Sequence, residues 1–474
     1  MSKNVSRRDF LKAAASSGAA LSVLAACQTA ATPTQAPAAT SAPAATSAPA
    51  ATSAPAATSA PAATSASAAT SAPAPTTAPA ATGPATIRWL TWYTEQQDEY
   101  PKIISDYQVK NPNIKVDLQL KTDVTGEYLP ALLAAAAADD LPEIYGPHVH
   151  SVEFGKKGLA ADMVATLGAD FLTDFFPSCV SMFKDGNAVY AVGWMAQTLG
   201  IFYDPNQFTQ AGITAEPQSW DDVITASNQV KSKIPGNMGF LEIGSDGFSV
   251  CDVWLPMITG ISGDPDTLRQ LDTHEKKWTD QAVVDSLTLY GKTLSGGAWQ
   301  KNLTGMKAQD CQTAFYQGKA AAFYDGSWDP TTFKKQMPAD LFSRLKVMKT
   351  PAVAAGGRNW TGNSAGAAFS LSNHSKVKDQ AVAFFKFIYS PDIYARTMNN
   401  SLSMPATKGA MATITDPFMK TMGSWLPDGC RHWLTGPAGQ VIADAIMDFT
   451  AGKTTDPKAV AQAMEDGAAK LNYS

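Results

Sequence analysis

The segment 28–84 limits how this 474-residue chain can fold more than any other feature. It consists of Ala, Ser, Thr and Pro with two Gln and one Gly, and from Ala36 to Gly83 it repeats the hexad Ala-Pro-Ala-Ala-Thr-Ser with small departures. Such a segment has no large apolar side chains to offset the entropy lost on folding, and regularly spaced prolines suppress helix. The sequence therefore predicts a disordered linker over 28–84 and a folded part confined to 85–474.

The 27 residues before the linker have the pattern of a bacterial export signal. Ser6-Arg7-Arg8-Asp9-Phe10-Leu11-Lys12 resembles a twin-arginine motif, and Leu24-Ala25-Ala26-Cys27 resembles a lipoprotein box. The apolar run between them is far shorter than the roughly 20 residues of a membrane-spanning helix. We predict a signal peptide over 1–27 that directs export of the chain by the twin-arginine or the general route. Acylation of Cys27 would then hold the protein on the outer face of the cytoplasmic membrane.

The folded part is mildly acidic, with 33 basic and 41 acidic residues, and it contains all 11 tryptophans. It has no long Lys/Arg cluster. Because nucleic-acid affinity depends on neutralising phosphates, this balance predicts no nucleic-acid partner.

Cysteines and histidines give little sign of a metal or redox site. The four cysteines of the folded part permit either two disulfides or four buried thiols, and the sequence leaves this open. His148 and His150 would share one face of a strand, but no second pair of ligands stands at a metal-binding spacing. No phosphate-binding loop, dinucleotide fingerprint or calcium loop is present. We therefore predict no metal and no cofactor.

The start of the folded part predicts an α/β domain. An apolar run over Ile87–Tyr93 and a strictly alternating run over Ile114–Leu120 indicate strands. Polar residues around Glu95–Lys110 and the Ala-rich run Leu129–Asp140 indicate helices. Alternation of strand and helix favours parallel pairing of the strands.

Later elements are predicted with less regular spacing. Val189–Tyr203 is typical of two short strands, and Ala320–Tyr324 of one. Helices are predicted over Trp220–Lys233 after the cap residue Ser219, over Thr304–Gln317 and over Ser375–Tyr389.

Several short motifs, in order and spacing, resemble the substrate-binding lipoproteins of ABC importers, in the large extracellular solute-binding family that includes the maltose-binding protein. The resemblance covers nearly all of 85–474. It rests on Tyr107–Val116, Ala137–Ile144, Phe154–Ala160, Val189–Gly193, Phe202–Phe208 with Ala211–Gly212 and Trp220–Asp222, Phe315–Ala322 with Gly326–Trp328, Ala381–Ile388 and Leu402–Ala406. Leu141-Pro142-Glu143-Ile144 departs from the family's usual Pro-Asp.

This resemblance implies an α/β fold of the periplasmic-binding-protein-like type II class, with two α/β lobes, hinge-crossing strands and an interlobe cleft. Lobe 1 would comprise 85–194 plus 363–398, and lobe 2 would comprise 195–362 plus 399–474. The crossings would lie near 193–197, 360–365 and 398–404.

The resemblance also implies a function without catalysis. The protein would be a monomer that captures a small solute, most simply a sugar or oligosaccharide, and delivers it to the transmembrane subunits of an ABC permease. A polyol, a glycerophosphodiester or a polyamine remains an alternative ligand. The same fold could also serve a sensor or adhesin, whereas an exported glycan-active enzyme would need an acid/base pair that the sequence does not display.

Sugar sites combine flat aromatic rings with carboxylates and amides, because the rings cover C–H faces while the polar groups bind hydroxyls. Trp92 and its neighbours follow the first strand, where open α/β sheets bind ligands. Asp252 and Arg358 are weaker candidates, and Trp89, Trp220, Trp278 and Trp425 are assigned to the core. The predicted ligand-binding residues are Trp92, Tyr93, Glu95, His148, Trp194, Trp254, Asp325, Trp328, Trp360, Asn363 and Trp433.

Gly362-Asn363-Ser364-Ala365-Gly366 matches the Gly-x-Ser-x-Gly pattern of a hydrolase nucleophile. Such a serine needs a buried strand before it and a helix after it, whereas residues 358–361 are polar and 367–371 are typical of a strand. We predict a crossing strand made flexible by its glycines rather than a catalytic turn.

Overall fold

The computed structural model describes residues 84–353, 357–471 and 473. The predicted signal peptide, the predicted acylation site Cys27 and the linker up to Gly83 lie outside the described residues. No helix in the described ranges combines the length and apolarity needed to cross a membrane.

One mixed sheet organises the described part of the chain. Its strands run in the order β2-β1-β3-β10-β6-β8-β7, with β11 added to β10 and β9 to β6, while β4 and β5 form a separate hairpin. The strands are β1 Ala85–Thr91, β2 Ile114–Leu120, β3 Ile144–Tyr145, β4 Lys184–Asp185, β5 Ala188–Val189, β6 Val192–Tyr203, β7 Phe240–Leu241, β8 Ala322–Gly326, β9 Lys346–Met348, β10 Thr361–Leu371 and β11 Gly429–Cys430.

Helices connect and cover these strands. The α-helices are Tyr100–Lys110, Leu129–Ala137, Ser151–Lys156, Met163–Leu167, Ala169–Leu172, Ser178–Ser181, Pro205–Ala211, Trp220–Lys233, Gly247–Ser262, Thr267–Asp272, Gln281–Ser295, Ala308–Tyr316, Pro330–Gln336, Ala339–Arg344, Lys378–Ile388, Pro391–Asn400, Lys408–Met411, Pro417–Gly423, Gly439–Thr450 and Pro457–Ala468. Shorter turns of 3₁₀ helix occupy His148–His150, Leu303–Gly305 and Leu426–Asp428, and a π-helical turn occupies Val124–Tyr128.

The first strands confirm the predicted parallel α/β arrangement. β1 pairs in parallel with β2, so that Ile87 lies opposite Val116, and β1 also pairs in parallel with β3. The predicted strand Ile114–Leu120 has the predicted bounds. The helix predicted around Glu95–Lys110 begins at Tyr100 and ends at Lys110.

The centre of the sheet differs from the two short strands predicted over Val189–Tyr203. Ala188–Val189 forms a short strand, and Val192–Tyr203 forms one strand of twelve residues, all buried. This strand, β6, pairs antiparallel with β10 over its first part and with β8 and β9 over its second. Neighbours along both edges and packing on both faces remove the alternation that sequence analysis relies on.

The later helices are found where they are predicted, and two of them are shorter than the predicted ranges. The helix Trp220–Lys233 is confirmed, with Ser219 and Asp222 forming a capping box at its start. The helix predicted over Thr304–Gln317 begins at Ala308, and Gly318 beyond its end has a φ of 67°. The helix predicted over Ser375–Tyr389 spans Lys378–Ile388.

Two large hydrophobic cores pack against the sheet. The first contains Trp89, whose ring lies 5.6 Å from that of Phe384, and the second contains Trp254 and Trp278, with ring centroids 6.3 Å apart. β6 contributes to both cores. The central strand β6 therefore connects the two cores.

The four cysteines of the folded part are buried free thiols. Burial raises the pKa of Cys179 to about 12, so this thiol is protonated at neutral pH. Of the two alternatives left open by the sequence, the structure has the reduced form.

Candidate functional site

A cavity of about 350 Å³ opens where several strands of the sheet end. Its volume falls in the range of small-molecule sites. Its lining is rich in aromatic and acidic side chains and comprises Trp92, Tyr93, Glu95, Met195, Gln197, Leu199, Glu242, Ile243, Phe248, Ser249, Asp252, Val253, Ala308, Gln312, Tyr324, Asp325, Trp328, Gly366 and Trp433.

Four of the lining residues stand at or near the carboxyl ends of strands, and the topology brings those ends to the cavity. Trp92 and Tyr93 follow β1, and Glu242 follows β7. Asp325 lies near the end of β8, which is parallel to β7. β1 and β8 run in opposite directions within the sheet, and the carboxyl end of each borders the cavity. In open α/β sheets, ligands bind outside the carboxyl ends of strands.

Partly exposed aromatic rings border the cavity. The ring of Trp92 packs 4.4 Å from that of Tyr128, and Gly146 leaves it room. The ring of Trp328 lies directly against Gly326, where any Cβ would collide with it. Phe248 is 52 % exposed although it is a large apolar residue, so its ring is available to cover a ligand.

The carboxyl groups in the lining are hard to ionise. Burial raises the pKa of Glu95, and burial raises that of Glu242 to about 8 despite a hydrogen bond donated by the Tyr290 hydroxyl. Burial and the neighbouring charge of Asp329 hold the pKa of Asp325 well above its usual value. The cavity thus concentrates acidic groups whose charge the protein itself only partly compensates.

Asp252 is held in place by a chain of hydrogen bonds. Its Oδ1 accepts the indole N–H of Trp433 at 3.1 Å and lies 2.7 Å from Nδ1 of His432. Nε2 of His432 lies 3.0 Å from the Ser364 hydroxyl. Burial raises the pKa of Asp252, and the contacts with His432 and Trp433 lower it.

This Ser–His–Asp chain has the connectivity of a hydrolase triad, but its serine is not open to the cavity. Ser364 is 3 % exposed and does not line the cavity. β10 continues past it to Leu371, which confirms the predicted strand in place of a strand-turn-helix. Its hydroxyl therefore anchors His432 within the fold.

Gln197 and Gly366 form the floor of the cavity where β6 and β10 pair. The register of the two strands shifts between Ala365 and Ala367, which is a bulge at Gly366. A Cβ on Gly366 would collide with the side-chain amide of Gln197. The missing side chain at position 366 thus creates the space that this amide occupies.

The structure brings six of the predicted ligand-binding residues together around the cavity, and the weaker candidate Asp252 with them. They are Trp92, Tyr93, Glu95, Asp325, Trp328 and Trp433. Tyr93 is fixed by β10, because its hydroxyl donates to the Ala368 carbonyl and accepts the Ala368 N–H.

Two predicted tryptophans lie in the cores instead. Trp194 is fully buried, its indole N–H donates to Gln96, and its ring packs 5.0 Å from that of Tyr394. Trp254 is fully buried and donates to the Ser286 hydroxyl. Position near a strand crossing does not decide which face of the strand a side chain occupies.

Three other predicted residues also lie away from this cavity. Trp360 packs beneath the guanidinium of Arg358 at 4.3 Å, and neither residue is part of the lining. The buried Asn363 donates to the Leu426 carbonyl. His148 lines a separate cavity of about 640 Å³, although its ring lies 5.6 Å from that of Trp92.

His148 and His150 occupy a 3₁₀ turn rather than a strand. Burial and the neighbouring His150 lower the pKa of His148 to about 4, so it is neutral at pH 7. Within the described ranges, no group of three or more His, Cys, Asp or Glu is placed to hold a metal ion.

Sequence reasoning missed Gln197, Glu242, Phe248 and Gln312. Glu242 had a usable signal, because it follows the apolar pair Phe240-Leu241 as Asp325 follows Phe323-Tyr324. No signal in the sequence pointed to Gln197, since only the pairing of β6 with β10 shows where its amide lies. Gln312 is placed by its helix, from which it donates to Asp329.

The model of the bacterial extracellular solute-binding protein family matches residues 91–395, more than half of the chain. The chain belongs to this family. A twin-arginine translocation signal model matches residues 4–23, in agreement with the predicted export signal.

Relatives of known name are similar over most of the folded part. The multiple sugar-binding protein of Streptococcus mutans is 23% identical over 353 residues, which cover 74% of this chain and 81% of the relative. The crystal structure of the GacH receptor of Streptomyces glaucescens, studied unliganded and with acarbose, has a TM-score of 0.69 at 20% identity, covering 81% of this chain and 98% of that one. A chitin oligosaccharide binding protein has a TM-score of 0.68 at 20% identity and covers 82% of this chain and 98% of its own.

These solved neighbours confirm the predicted fold class. The family member described here is a type II periplasmic-binding-protein-like α/β protein, with a cleft between two lobes and long strands crossing between them.

Proposed function

We propose that this family member captures a carbohydrate in the cavity beside Trp92 and Trp328 and delivers it to an ABC permease without transforming it. The observation that carries the proposal is the lining itself, which joins partly exposed aromatic rings to carboxyl and amide groups. Rings cover the C–H faces of a sugar, while carboxylates and amides bind its hydroxyls. The sugar-binding relatives support the same class of ligand.

The lining also bears on the alternative ligands. It contains no Lys, Arg or His among the described residues, so a glycerophosphodiester would find no cationic partner for its phosphate. A polyol would leave the flat rings of Trp92, Trp328 and Trp433 with little to cover. A polyamine fits the acidic groups and is therefore kept as an arm of the tests below.

The proposed lobes, 85–194 with 363–398 and 195–362 with 399–474, both contribute to the lining. Trp92 and Glu95 come from the first, and Asp325 and Trp328 from the second. A ligand that touches both lobes favours the closed arrangement, because its contacts from both sides exist only there. A permease that binds this arrangement would select the loaded protein.

Export and anchoring complete the proposal. The matched twin-arginine signal would bring the chain out of the cytoplasm, and acylation of Cys27 would hold it at the membrane. Replacing Cys27 with Ala is expected to release the protein into the soluble fraction, as fractionation of cells would measure. Retention in the membrane fraction would contradict the anchor.

Binding is tested by thermal shift and calorimetry with neutral oligosaccharides, polyols, glycerophosphodiesters and polyamines. A ligand at about 100 times its Kd stabilises the folded state by roughly 2.7 kcal/mol. We expect at least one saccharide to do so, with mass spectrometry recovering it unchanged. A panel in which only a non-saccharide shifts Tm would refute the carbohydrate assignment, and an altered sugar would refute the absence of catalysis.

A further inference from the structure

The charge of the cavity is one-sided. Glu95, Glu242, Asp252 and Asp325 line it, and no lining residue in the described part of the chain is Lys, Arg or His. A neutral saccharide offers as many hydroxyl acceptors as donors, and it is served by a mixture of donors and acceptors in the protein. This lining is instead weighted towards carboxyl groups, which accept hydrogen bonds and carry negative charge when they are ionised.

Two of these carboxyl groups are buried and incompletely paired within the described residues. Glu242 is 1 % exposed, and its Oε1 accepts from Tyr290 at 2.8 Å while its Oε2 has no partner. Asp325 is 3 % exposed, its Oδ1 accepts the Gly326 N–H, and its Oδ2 has no donor other than the neighbouring carboxyl group of Asp329. Buried polar atoms are nearly always paired, so the unpaired Oε2 of Glu242 and the crowded carboxyl pair of Asp325 and Asp329 indicate that a ligand supplies further partners.

The two carboxyl groups are neighbours in the sheet. Leu241 on β7 lies opposite Phe323 on β8, so Glu242 and Asp325 leave adjacent parallel strands at the same end. Asp252, by contrast, already receives donors from His432 and Trp433. The incompletely paired carboxyl groups are thus concentrated on the β7–β8 side of the cavity.

Aromatic rings surround the same space. Tyr324 and Trp328 flank Asp325 along the chain, and Phe248 is exposed at the lining. Aromatic faces attract cations through their quadrupole as well as covering apolar groups. Carboxylates combined with aromatic faces are the chemistry that recognises an ammonium group on a largely hydroxylated ligand.

We propose that the ligand is a carbohydrate bearing a protonated amino group, with the ammonium bound on the side of Glu242 and Asp325. This inference rests on the proposed carbohydrate function and adds the charge of the ligand. Burial, together with the charge of Asp329, raises the pKa of Asp325, and burial raises that of Glu242 to about 8. A bound ammonium favours the ionised carboxylates and therefore displaces the protons that these groups hold in the ligand-free protein. Burying this cluster of carboxyl groups costs stability, and the cluster makes the site selective for ligands that carry an amine.

The test uses the purified full chain at pH 6.5 with two trisaccharides of the same linkage, a trimer of glucosamine and a trimer of N-acetylglucosamine. The first carries protonated amines where the second carries neutral acetamide groups. Calorimetry measures the affinity of each. We expect the glucosamine trimer to bind at least about 10-fold more tightly. Equal affinity, tighter binding of the acetylated trimer, or binding of neither would overturn the inference.

The proposed function has separate outcomes. If neutral saccharides bind and the glucosamine trimer binds no more tightly than they do, the carbohydrate function stands and the charge assignment fails. Spermidine provides the other arm, because it carries amines without a sugar. Binding of spermidine alone would overturn the carbohydrate part of both proposals.

Two isosteric variants locate the ammonium. Glu242→Gln and Asp325→Asn keep size and hydrogen-bonding shape, and each is expected to reduce the preference for the glucosamine trimer over the N-acetylglucosamine trimer by about 10-fold. Glu127→Gln removes a charge from an exposed site and serves as the control. Equal losses for charged and neutral ligands would contradict a specific role in binding the amine.

Discussion

Gly366 on β10 approaches Gln197 on β6 so closely that a single methyl group at position 366 would overlap the glutamine amide. The bulge between Ala365 and Ala367 lies at the same point, where the two long strands meet the floor of the cavity. One missing side chain thus allows two strands of the central sheet to place an amide where a ligand would bind.

Replacing Gly366 with Ala is expected to push the Gln197 side chain into the cavity and weaken ligand binding by about 10-fold or more. Calorimetry with the best ligand of the saccharide panel measures the effect. The double variant Gly366→Ala/Gln197→Ala removes the collision and should recover part of the affinity. Gly439→Ala is the control, because a methyl there meets no atom closer than 3.4 Å. Wild-type affinity in Gly366→Ala would contradict this account.

Replacing Trp328 with Ala should remove an aromatic surface from the ligand and cost about 2–4 kcal/mol of binding free energy. Trp328 is only partly buried, so Tm should change little. Trp194→Ala is the matched comparison, since that side chain is fully buried and its loss should cost about 3–5 kcal/mol of stability. Unchanged affinity in Trp328→Ala would move this residue from the site to the core.

Ser364→Ala should reduce stability and leave the function intact. It removes the hydroxyl beside Nε2 of the buried His432, at a cost of about 1–3 kcal/mol measured by urea unfolding. The exposed Ser232→Ala is the control. We also expect no hydrolysis of a nitrophenyl ester that depends on Ser364. A turnover that disappears in Ser364→Ala would instead make the Ser–His–Asp chain catalytic.

The stability of the ligand-free protein should fall as pH rises from about 6.5 to 8. The folded state raises the pKa of Glu242 to about 8, so over this interval it holds a proton that the unfolded chain, with an ordinary carboxyl pKa, has lost. The free energy of unfolding therefore decreases with rising pH. His148, with its pKa lowered to about 4, acts in the opposite direction only below its unfolded pKa of roughly 6.5.

Glu242→Gln isolates this contribution, because it removes the titrating group and keeps an acceptor for Tyr290. Its stability advantage over the wild type should be largest near pH 8 and shrink towards pH 5. Urea unfolding at several pH values measures both curves. Parallel curves would show that Glu242 does not titrate as its burial requires.

Local sequence patterns located the elements whose surroundings repeat regularly. The alternation over Ile114–Leu120 predicted β2 because one face of that strand is more buried than the other. Ser219 and the residues after it predicted a helix because the capping box is formed within four residues. β6 escaped prediction as a single strand because its neighbours in the sheet come from residues 322–371, far along the chain.

The same division holds for the candidate site. Trp92 and Asp325 could be assigned from their place at the end of a strand, which is a local property. Trp194 could not, because its side chain faces Phe369 and Tyr394, and only the folded sheet determines that orientation.

By itself, the sequence determined the export signal, the α/β class, the family and the aromatic, acidic character of the folded part. These depend on composition, on short spacings and on the order of motifs. The tertiary structure decided which tryptophans reach the cavity, that Glu242, Gln197 and Gly366 belong to it, and that its lining contains no basic side chain in the described residues. Those properties depend on which distant strands are neighbours, because burial and charge at a site are set by groups that are far apart in the chain and adjacent only after folding.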